Sequence, residues 1–378
     1  MNAVSNGQAK RPSSRLGTSS SGTPSSGNSS LEASQNRLRS AIRAGEFIVT
    51  AEVMPPKGGD PSHMLEMAAY LKDWVHAVNI TDGSRAVLRM SSLACAVLLK
   101  QAGIEPICQM TGRDRNAIAL QSDLMGAHAL GVRNILTLTG DPIKAGDYPK
   151  SKPVHELDST RLLRVIRQLN SGVDYNDKAM SDGALDIFPG AAVDPQSTSW
   201  SGMQSRFNKK LESGAQFFQS QLISDFDKLQ KFMDQVAFGC DRPILAGIFL
   251  LKSAKNAAFI NRCVPGVNIP QHLIDRLAAA PDPLQEGMKI AAEQVQAAHQ
   301  LCQGVHMMAV RREDLIPQIL EMAGLAPQTQ DQPISQSPDQ SSDQSSDQSS
   351  GQSSSQSVGQ SVGQSVGQSS GLLSATAV

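Results

Sequence analysis

A short apolar segment that ends on a charged or amide side chain recurs along this chain and constrains its fold more than any other feature. Three of these segments carry Glu52, Asp141 and Gln221 at their ends. Eight predicted strands lie between residues 47 and 310, and stretches with helical spacing of apolar residues separate them. In an eight-fold βα barrel the carboxyl ends of all strands meet at one mouth. The pattern therefore predicts that residues far apart in sequence face one cavity.

Regular alternation of strands and helices favours parallel strands joined by right-handed crossovers. An open doubly wound sheet is the competing architecture. No G-x-G-x-x-G motif follows an early strand and no G-x-x-x-x-G-K-[ST] motif exists, which removes the usual reasons to prefer it. The sequence therefore predicts the α/β class and a (β/α)8 TIM barrel, with strands at 47–53, 76–81, 104–110, 134–139, 184–193, 216–223, 244–250 and 305–310.

Between these strands, apolar spacing and glycine stops predict the helices. Two segments look irregular instead. The polar stretch 194–205 is predicted to be a long loop over the mouth, and residues 264–281 contain three prolines. The predicted helices are 64–74, 88–101, a stretch ending at 130, 158–169, 207–213, 226–236, one from 253, 283–301 and 313–322.

Both ends of the chain are poor in apolar residues and divide it into three parts. Residues 1–34 are rich in Ser, and residues 327–378 repeat Asp-Gln-Ser-Ser and Ser-Val-Gly-Gln. Such segments bury too little apolar surface to offset chain entropy, so both extensions are predicted to be disordered. The barrel is expected to occupy residues 35–326. The basic, acid-free N-terminal end also resembles an organelle transit peptide faintly.

Charge and cysteine usage exclude several function classes. The formal net charge is −1 and no basic stripe is present, which argues against a nucleic-acid partner. The longest apolar run is near residues 244–251, too short to span a membrane, and the N-terminus has no secretory signal.

The five cysteines include no Cys-x-x-Cys pair, so neither a disulfide framework nor a metal site is expected. A cytoplasmic location fits these features.

Five segments at predicted strand ends resemble, in order, the flavin-dependent methylenetetrahydrofolate reductases. Each segment is a weak signal alone, but together with weaker matches they span about residues 45–325. The segments are Glu52 to Pro56, Thr81 to Gly83, Met110 to Asn116, Leu138 to Pro142, and Ser213 to Ala215 together with Gln221.

The resemblance implies a chemistry as well as a fold. It implies that FAD is held in the barrel mouth, that NADH or NADPH reduces it and leaves, and that a folate carrying a methylene bridge then accepts the hydride. The product would be 5-methyltetrahydrofolate. The resemblance chooses neither NADH nor NADPH. We also expect a homo-oligomer and a methyltransferase partner.

Two carboxylates are the candidate catalytic residues. The methylene bridge of the folate accepts hydride only after N10 is protonated and the ring opens, which requires a general acid. Glu52 matches the acid of the family, although a carboxylate in a surface salt bridge is the alternative. Asp141 matches an aspartate of the family beside flavin and folate, where negative charge would favour the cationic iminium. The alternative for Asp141 is a helix cap in a Gly-Asp-Pro turn.

The resemblance also implies binding residues. Gln221 can present a donor and an acceptor to a pterin edge. Arg312 matches an arginine that contacts folate, and a one-residue register error would move that role to Arg311. Core packing or solvated charge is the alternative for these side chains. The residues expected to hold the flavin are Thr81, Gln109, Thr111, Asp141, Asp194 and Lys210.

Three departures from the family pattern leave a second reading open. Gln109 stands where many relatives have a histidine, Ala254 lies near the place where some relatives have an aromatic residue, and Ser224 stands where bulkier residues also occur. Loss of stacking surface would weaken ligand binding. A non-catalytic flavin- or folate-binding subunit of a methyl-transfer complex is therefore the alternative function. An unrelated barrel enzyme that uses Glu52 and Asp141 as an acid–base pair is a third.

Overall fold

Eight parallel strands form a closed barrel in the computed structural model, which describes residues 36–264 and 266–328. Each strand pairs with the next in sequence order, and β1 pairs with β8 to close the sheet. The predicted (β/α)8 TIM barrel is thereby confirmed. The strands are β1 Ile48–Val53, β2 Ala77–Ile80, β3 Pro106–Thr111, β4 Asn134–Leu138, β5 Phe188–Val193, β6 Phe217–Leu222, β7 Ile244–Phe249 and β8 Gly304–Met308.

Helices surround the barrel, and short 3-10 turns lie at 84–86, 143–145 and 313–315. Most helices begin at a side chain that caps the first turn, such as Asn116, Asp158 and Ser253. In the described residues the helices are α1 Arg37–Ala44, α2 Ser62–Leu71, α3 Ser92–Gln101, α4 Ala117–Ala129, α5 Ser159–Asn170, α6 Trp200–Glu212, α7 Phe226–Gln235, α8 Ala254–Cys263, α9 Gln271–Ala279, α10 Pro283–Leu301 and α11 Ile316–Met322.

Two segments predicted to be irregular are partly helical, so those predictions are wrong. The predicted loop 194–205 ends at residue 199, because α6 begins at Trp200 and buries Met203 in the core. Within 264–281, α9 starts directly after Pro270, a position at which proline does not interrupt a helix, and buries Leu273 and Leu277.

Other boundaries differ by a few residues. Strand β5 starts at Phe188 rather than at residue 184. Helix α3 starts at Ser92 rather than at residue 88, because the Ser91 hydroxyl caps its first turn by accepting from the Ala94 N–H. Helix α1 was not predicted. The extensions predicted to be disordered, 1–34 and 327–378, lie outside the described residues except for 327 and 328.

Alternate residues of each strand point into the barrel and form layers. The layer at the amino-terminal end is apolar, and α1 closes this end by packing Leu38 and Ala41 against it. The barrel is therefore filled by apolar side chains at the amino-terminal end of its strands, and its mouth lies at the carboxyl-terminal end. The strand residues of this apolar layer are Ile48, Ala77, Ile107, Leu136, Phe188, Phe217 and Leu245.

Candidate active site

The carboxyl ends of the strands bring the predicted site residues to one end of the barrel. Because all eight strands are parallel, their last residues and the loops after them share this end. Glu52 lies on β1, Gln109 and Thr111 lie on β3, and Gln221 lies on β6. Thr81 and Asp194 directly follow β2 and β5, and Asp141 lies in the loop that follows β4.

Glu52 is held by two neighbours that contact the same carboxylate oxygen. Gln109 Nε2 donates to Glu52 Oε2 at 3.3 Å, and His306 Nε2 lies 3.8 Å from that oxygen. The side chain of Glu52 is 21% exposed. The other oxygen, Oε1, accepts no hydrogen bond from the described residues. Glu52 is thus oriented from one side and available to a ligand through Oε1.

A buried polar layer lies below Glu52 and was not predicted from the sequence. Thr50, Asn79, Gln219 and His306 are each at most 4% exposed. Three of them precede a predicted site residue by two positions, so strand alternation places them on the same inner face one layer down. Polar residues at inward positions of otherwise apolar strands were the signal that could have revealed this layer.

Thr81 and Thr111 differ in how their hydroxyls are used. Thr81 is buried, and its Oγ1 has no hydrogen-bond partner in the described part of the chain. Thr111 donates from both its N–H and its hydroxyl to Asp82 Oδ2, at 2.8 and 3.1 Å. Arg115 also contacts Asp82 and Asp123. The Thr81 hydroxyl is therefore unpaired among the described residues, whereas the Thr111 hydroxyl ties the loops after β2 and β3 together.

Asp141 lies on the exposed loop after β4. Its Oδ2 accepts from the backbone N–H of Arg85, at 2.6 Å, in the loop after β2. Beneath these loops Arg113 is buried and donates to the Gly83 carbonyl at 3.0 Å. The hydrogen bonds from Arg113 to Asp114 raise the pKa of the guanidinium. Asp141 thus shares the mouth with Glu52 but has no contact with it.

Gln221 and Arg312 differ in availability. The Gln221 side chain is exposed and makes no hydrogen bond to any described residue. Arg312 donates to both oxygens of Asp314, at 3.0 and 3.1 Å, and these bonds raise the pKa of its guanidinium. The neighbouring Arg311 is exposed and has a positive φ of 61°. The Gln221 amide is therefore unpaired among the described residues, whereas Arg312 is paired with Asp314.

Asp194 and Lys210 both lie near the end of β5. Asp194 Oδ1 accepts from the Gln196 N–H at 3.1 Å, and burial raises the pKa of the Asp194 carboxyl. Lys210 Nζ donates to the Ala192 carbonyl at 2.7 Å. Burial, with a smaller contribution from Arg206, lowers the pKa of Lys210 to about 8.

Two of the three departures have structural explanations. Gln109 contacts Glu52, as described above. Ser224 is buried, and its hydroxyl donates to the Asn268 carbonyl at 2.8 Å, while its N–H donates to Gln196 Oε1 at 2.8 Å. Ser224 therefore fastens the loops after β5 and β6. Ala254 is the first residue of α8, and nothing in the structure explains its identity.

The donor set of the mouth suits a polar organic ligand. Among the described residues, no cluster of three or more His, Cys, Asp or Glu side chains could hold a metal ion. No helix in the described part of the chain has the length and apolarity that a membrane span requires. The unpaired Thr81 hydroxyl and the free Gln221 amide fit a ligand that has several hydrogen-bonding edges.

Comparison with known proteins identifies relatives of this chain. Residues 37–324 match the family model for methylenetetrahydrofolate reductase. Methylenetetrahydrofolate reductase 1 of Schizosaccharomyces pombe (strain 972 / ATCC 24843) is 27% identical over 231 residues, covering 59% of this chain and 36% of that protein. The probable methylenetetrahydrofolate reductase (NADPH) of Caenorhabditis elegans is 26% identical over 245 residues, covering 62% and 34%. This chain therefore spans about a third of the length of each relative.

A solved structure resembles the chain only distantly. EDTA monooxygenase (EmoA) from Chelativorans sp. BNC1 has a TM-score of 0.43 and 12% identity, over 74% of this chain and 98% of that chain. A likeness this low supports no argument about function.

The family match includes all eight strands and all the helices from α1 to α11. It covers well over half of the 378 residues. It also includes every candidate site residue named above. The chain therefore belongs to the methylenetetrahydrofolate reductase family.

Proposed function

We propose that this protein reduces 5,10-methylenetetrahydrofolate to 5-methyltetrahydrofolate with electrons from NADH or NADPH, and that FAD is its cofactor. One observation carries the proposal. Glu52 has one carboxylate oxygen engaged by Gln109 and His306 and the other free, at the same end of the barrel as the free amide of Gln221. The names of the two relatives support the same reaction, and one of them includes NADPH.

Glu52 acts as the general acid in this proposal. It holds a proton at Oε1 and donates it to N10 of the folate, so that the methylene bridge opens to a cationic N5 iminium. Because the protein contacts converge on Oε2, the acid keeps one orientation while Oε1 meets the substrate. Such preorganisation spares the reaction the cost of orienting the acid at each turnover.

Asp141 and Gln221 bind and stabilise the substrate. A carboxylate at Asp141 favours the positive charge that develops on the iminium, and its hydrogen bond from the Arg85 N–H fixes its position. The Gln221 amide offers a donor and an acceptor to the pterin edge. Arg312 uses Nε and Nη2 to pair with Asp314, whereas Arg311 is exposed, so Arg311 is the more available cation at this site.

Thr81, Gln109, Thr111, Asp141, Asp194 and Lys210 would hold the flavin. When bound, the flavin supplies transfer of a hydride from the nicotinamide to the folate. The strongest support for this assignment is the Thr81 hydroxyl, which is buried and has no hydrogen-bond partner among the described residues. The five cysteines are free, and burial raises the pKa of Cys108 and of Cys302 to about 12, so these two thiols are poor nucleophiles and take no part in the proposed reaction.

An anaerobic spectrum tests the proposal. Flavin absorbance should bleach when NADH or NADPH is added and return when methylenetetrahydrofolate follows. Glu52→Gln should leave the bleaching rate unchanged and slow the return by about 10²- to 10⁴-fold, the usual contribution of a general acid. Glu66→Gln changes an exposed acid on α2 in the same way and serves as the matched control.

Other outcomes would point elsewhere. Equal loss of both half-reactions in Glu52→Gln would remove Glu52 from the role of acid. Flavin that binds but is not reduced by either nicotinamide would favour the accessory subunit. If the protein binds no flavin even after reconstitution, the proposed reaction is wrong and only the barrel fold stands.

A further inference from the structure

Four polar side chains form a hydrogen-bonded line across the barrel below Glu52. Thr50 and Asn79 are fully buried, and Gln219 and His306 are 3% and 4% exposed. Branched apolar residues usually fill this part of a TIM barrel. An unpaired polar group buried there would cost a few kcal/mol, so the line is stable only if its members satisfy one another.

The hydrogen bonds of this line run in one direction, from Asn79 through Gln219 and Thr50 to His306. Asn79 Nδ2 donates to Gln219 Oε1 at 2.6 Å, which turns the amide nitrogen of Gln219 toward β1. Gln219 Nε2 then donates to Thr50 Oγ1 at 3.2 Å and to Asn79 Oδ1 at 3.2 Å. The Thr50 hydroxyl thus accepts one hydrogen bond and keeps its own proton to donate.

Two acceptors lie within reach of the Thr50 proton. His306 Nδ1 is 3.0 Å from Thr50 Oγ1, whereas the Val305 carbonyl is 3.4 Å away. The shorter contact favours donation to Nδ1. A neutral imidazole carries one N–H, so an Nδ1 that accepts leaves the proton on Nε2. Nε2 is the ring atom that lies 3.8 Å from Glu52 Oε2.

We propose that Thr50, backed by Gln219 and Asn79, holds His306 as the Nε2–H tautomer, and that His306 is thereby a positioning residue for Glu52. The part of this inference that concerns the folate reaction rests on the proposed function. Nε2–H of His306 and Nε2 of Gln109 both face Oε2, so they stabilise one orientation of the carboxyl group. Oε1 is then the oxygen that carries the proton to the substrate. Among the described residues, the titratable side chain that lies against His306 is Glu52.

Nitrogen NMR tests the tautomer without any ligand or turnover. The full chain labelled with 15N-histidine has seven histidines, and His306→Gln identifies the signal of interest by its disappearance. We expect the wild-type signal to show a protonated Nε2 and an unprotonated Nδ1. If the side-chain amides of Asn79 and Gln219 were flipped, the hydrogen bonds would run in the opposite direction and Nδ1 of His306 would carry the proton. A protonated Nδ1 would therefore overturn the proposal.

Thr50→Val removes the hydroxyl and keeps the shape of the side chain. Gln219 Nε2 retains its bond to Asn79 Oδ1, so the variant does not orphan that amide. We expect the Nε2–H preference of His306 to be lost. The folate half-reaction should slow by about ten- to a hundredfold, the loss seen when the hydrogen-bond partner behind a metal-bound histidine is removed, and its pH profile should change. Flavin reduction by the nicotinamide should keep its wild-type rate.

Thr137→Val is the matched control for this substitution. Thr137 is a buried threonine on β4 whose hydroxyl donates to the Gly190 carbonyl at 3.0 Å, away from His306. It should lower stability similarly but leave the tautomer and the pH profile unchanged. Thr50→Ser restores the hydroxyl and should restore both readouts.

The two sets of measurements separate the possible failures. If Thr50→Val and Thr137→Val slow the folate half-reaction equally, Thr50 has a structural role and the positioning role is wrong. If the chain has no reductase activity but His306 shows the Nε2–H tautomer that Thr50→Val abolishes, the proposed function fails while the hydrogen-bonded line stands.

Discussion

The Thr81 hydroxyl is buried and has no hydrogen-bond partner among the described residues, so its removal should affect stability and ligand binding differently. Thr81→Val removes a buried hydroxyl without a partner among the described residues, so the free energy of unfolding should stay level or rise by up to about 1 kcal/mol. Flavin binding should weaken about three- to tenfold, the value of one hydrogen bond. Urea unfolding and flavin titration measure the two effects.

Thr111→Val is the comparison for this prediction. The Thr111 hydroxyl donates to Asp82, and losing this hydrogen bond to a carboxylate should lower the free energy of unfolding by about 1.5–3 kcal/mol. If Thr81→Val is as destabilising as Thr111→Val, then Thr81 is a structural residue and its assignment to the flavin is wrong.

Lys210 links a buried charge to the pH dependence of stability. Burial lowers its pKa from the ordinary 10.5 to about 8, so between these values the unfolded chain binds more protons than the folded protein. Stability therefore rises with pH across that window, and the charged lysine is a cost at pH 7. Lys210→Met should raise the free energy of unfolding by about 1–3 kcal/mol at pH 7.

The advantage of Lys210→Met should shrink as the pH approaches 10, because Lys210 is then neutral in the folded protein and no longer carries the cost of a buried charge. Urea unfolding at both pH values measures this difference. Lys209→Met, at the exposed neighbouring position, controls for the loss of a positive charge. A gain that is the same at pH 7 and pH 10 would show that the pKa of Lys210 is not depressed.

At the scale of elements, two helix glycines predict opposite effects of one substitution. A Cβ at Gly287 in α10 would lie 1.8 Å from the Leu251 carbonyl oxygen, so the helix would have to move away from the loop after β7. A Cβ at Gly126 in α4 would meet no atom within 4 Å. Gly287→Ala should therefore destabilise the protein by about 1–3 kcal/mol. Gly126→Ala should stabilise it by about 0.5–1 kcal/mol.

Thermal unfolding of the two variants checks this prediction, since the sign of the change in midpoint is enough. Stabilisation by both substitutions would mean that α10 is not packed as closely against the loop after β7 as the structure shows.

The elements themselves were predicted unevenly, for identifiable reasons. Strand order followed from apolar runs bounded by turn residues, which are local signals. Helix α9 was missed because Pro270 suggested irregular structure, whereas proline is tolerated at the start of a helix. Helix α1 has the apolar spacing of Leu38, Ala41 and Ile42, but it is stabilised by packing under the barrel, which is not a local property.

At the scale of the molecule, the two ends of the described chain meet at one place. Arg37 Nη1 donates to the Lys72 carbonyl at 3.0 Å, and the Gln328 N–H donates to the Asp73 carbonyl at 2.5 Å. We propose that residues 36–328 form a complete folding unit. A fragment with these limits should unfold in one cooperative transition, with a free energy of unfolding within about 1 kcal/mol of that of the full chain.

Urea unfolding of the fragment and the full chain, followed by circular dichroism and by tryptophan fluorescence, makes the comparison. A fragment that is unfolded, or that loses several kcal/mol, would show that residues beyond these limits contribute to the barrel.

The sequence by itself determined the closed barrel, the order of its elements and the residues at the strand ends. These follow from side-chain periodicity and from the handedness of crossovers, both of which act over short stretches of chain. Only the tertiary structure decided which strand-end residues touch. Glu52, Gln109 and His306 come from β1, β3 and β8, and the stagger between strands that brings them together is set by closure of the whole barrel. For the same reason the tertiary structure alone shows that Asp82 occupies the Thr111 hydroxyl while the Thr81 hydroxyl has no partner among the described residues.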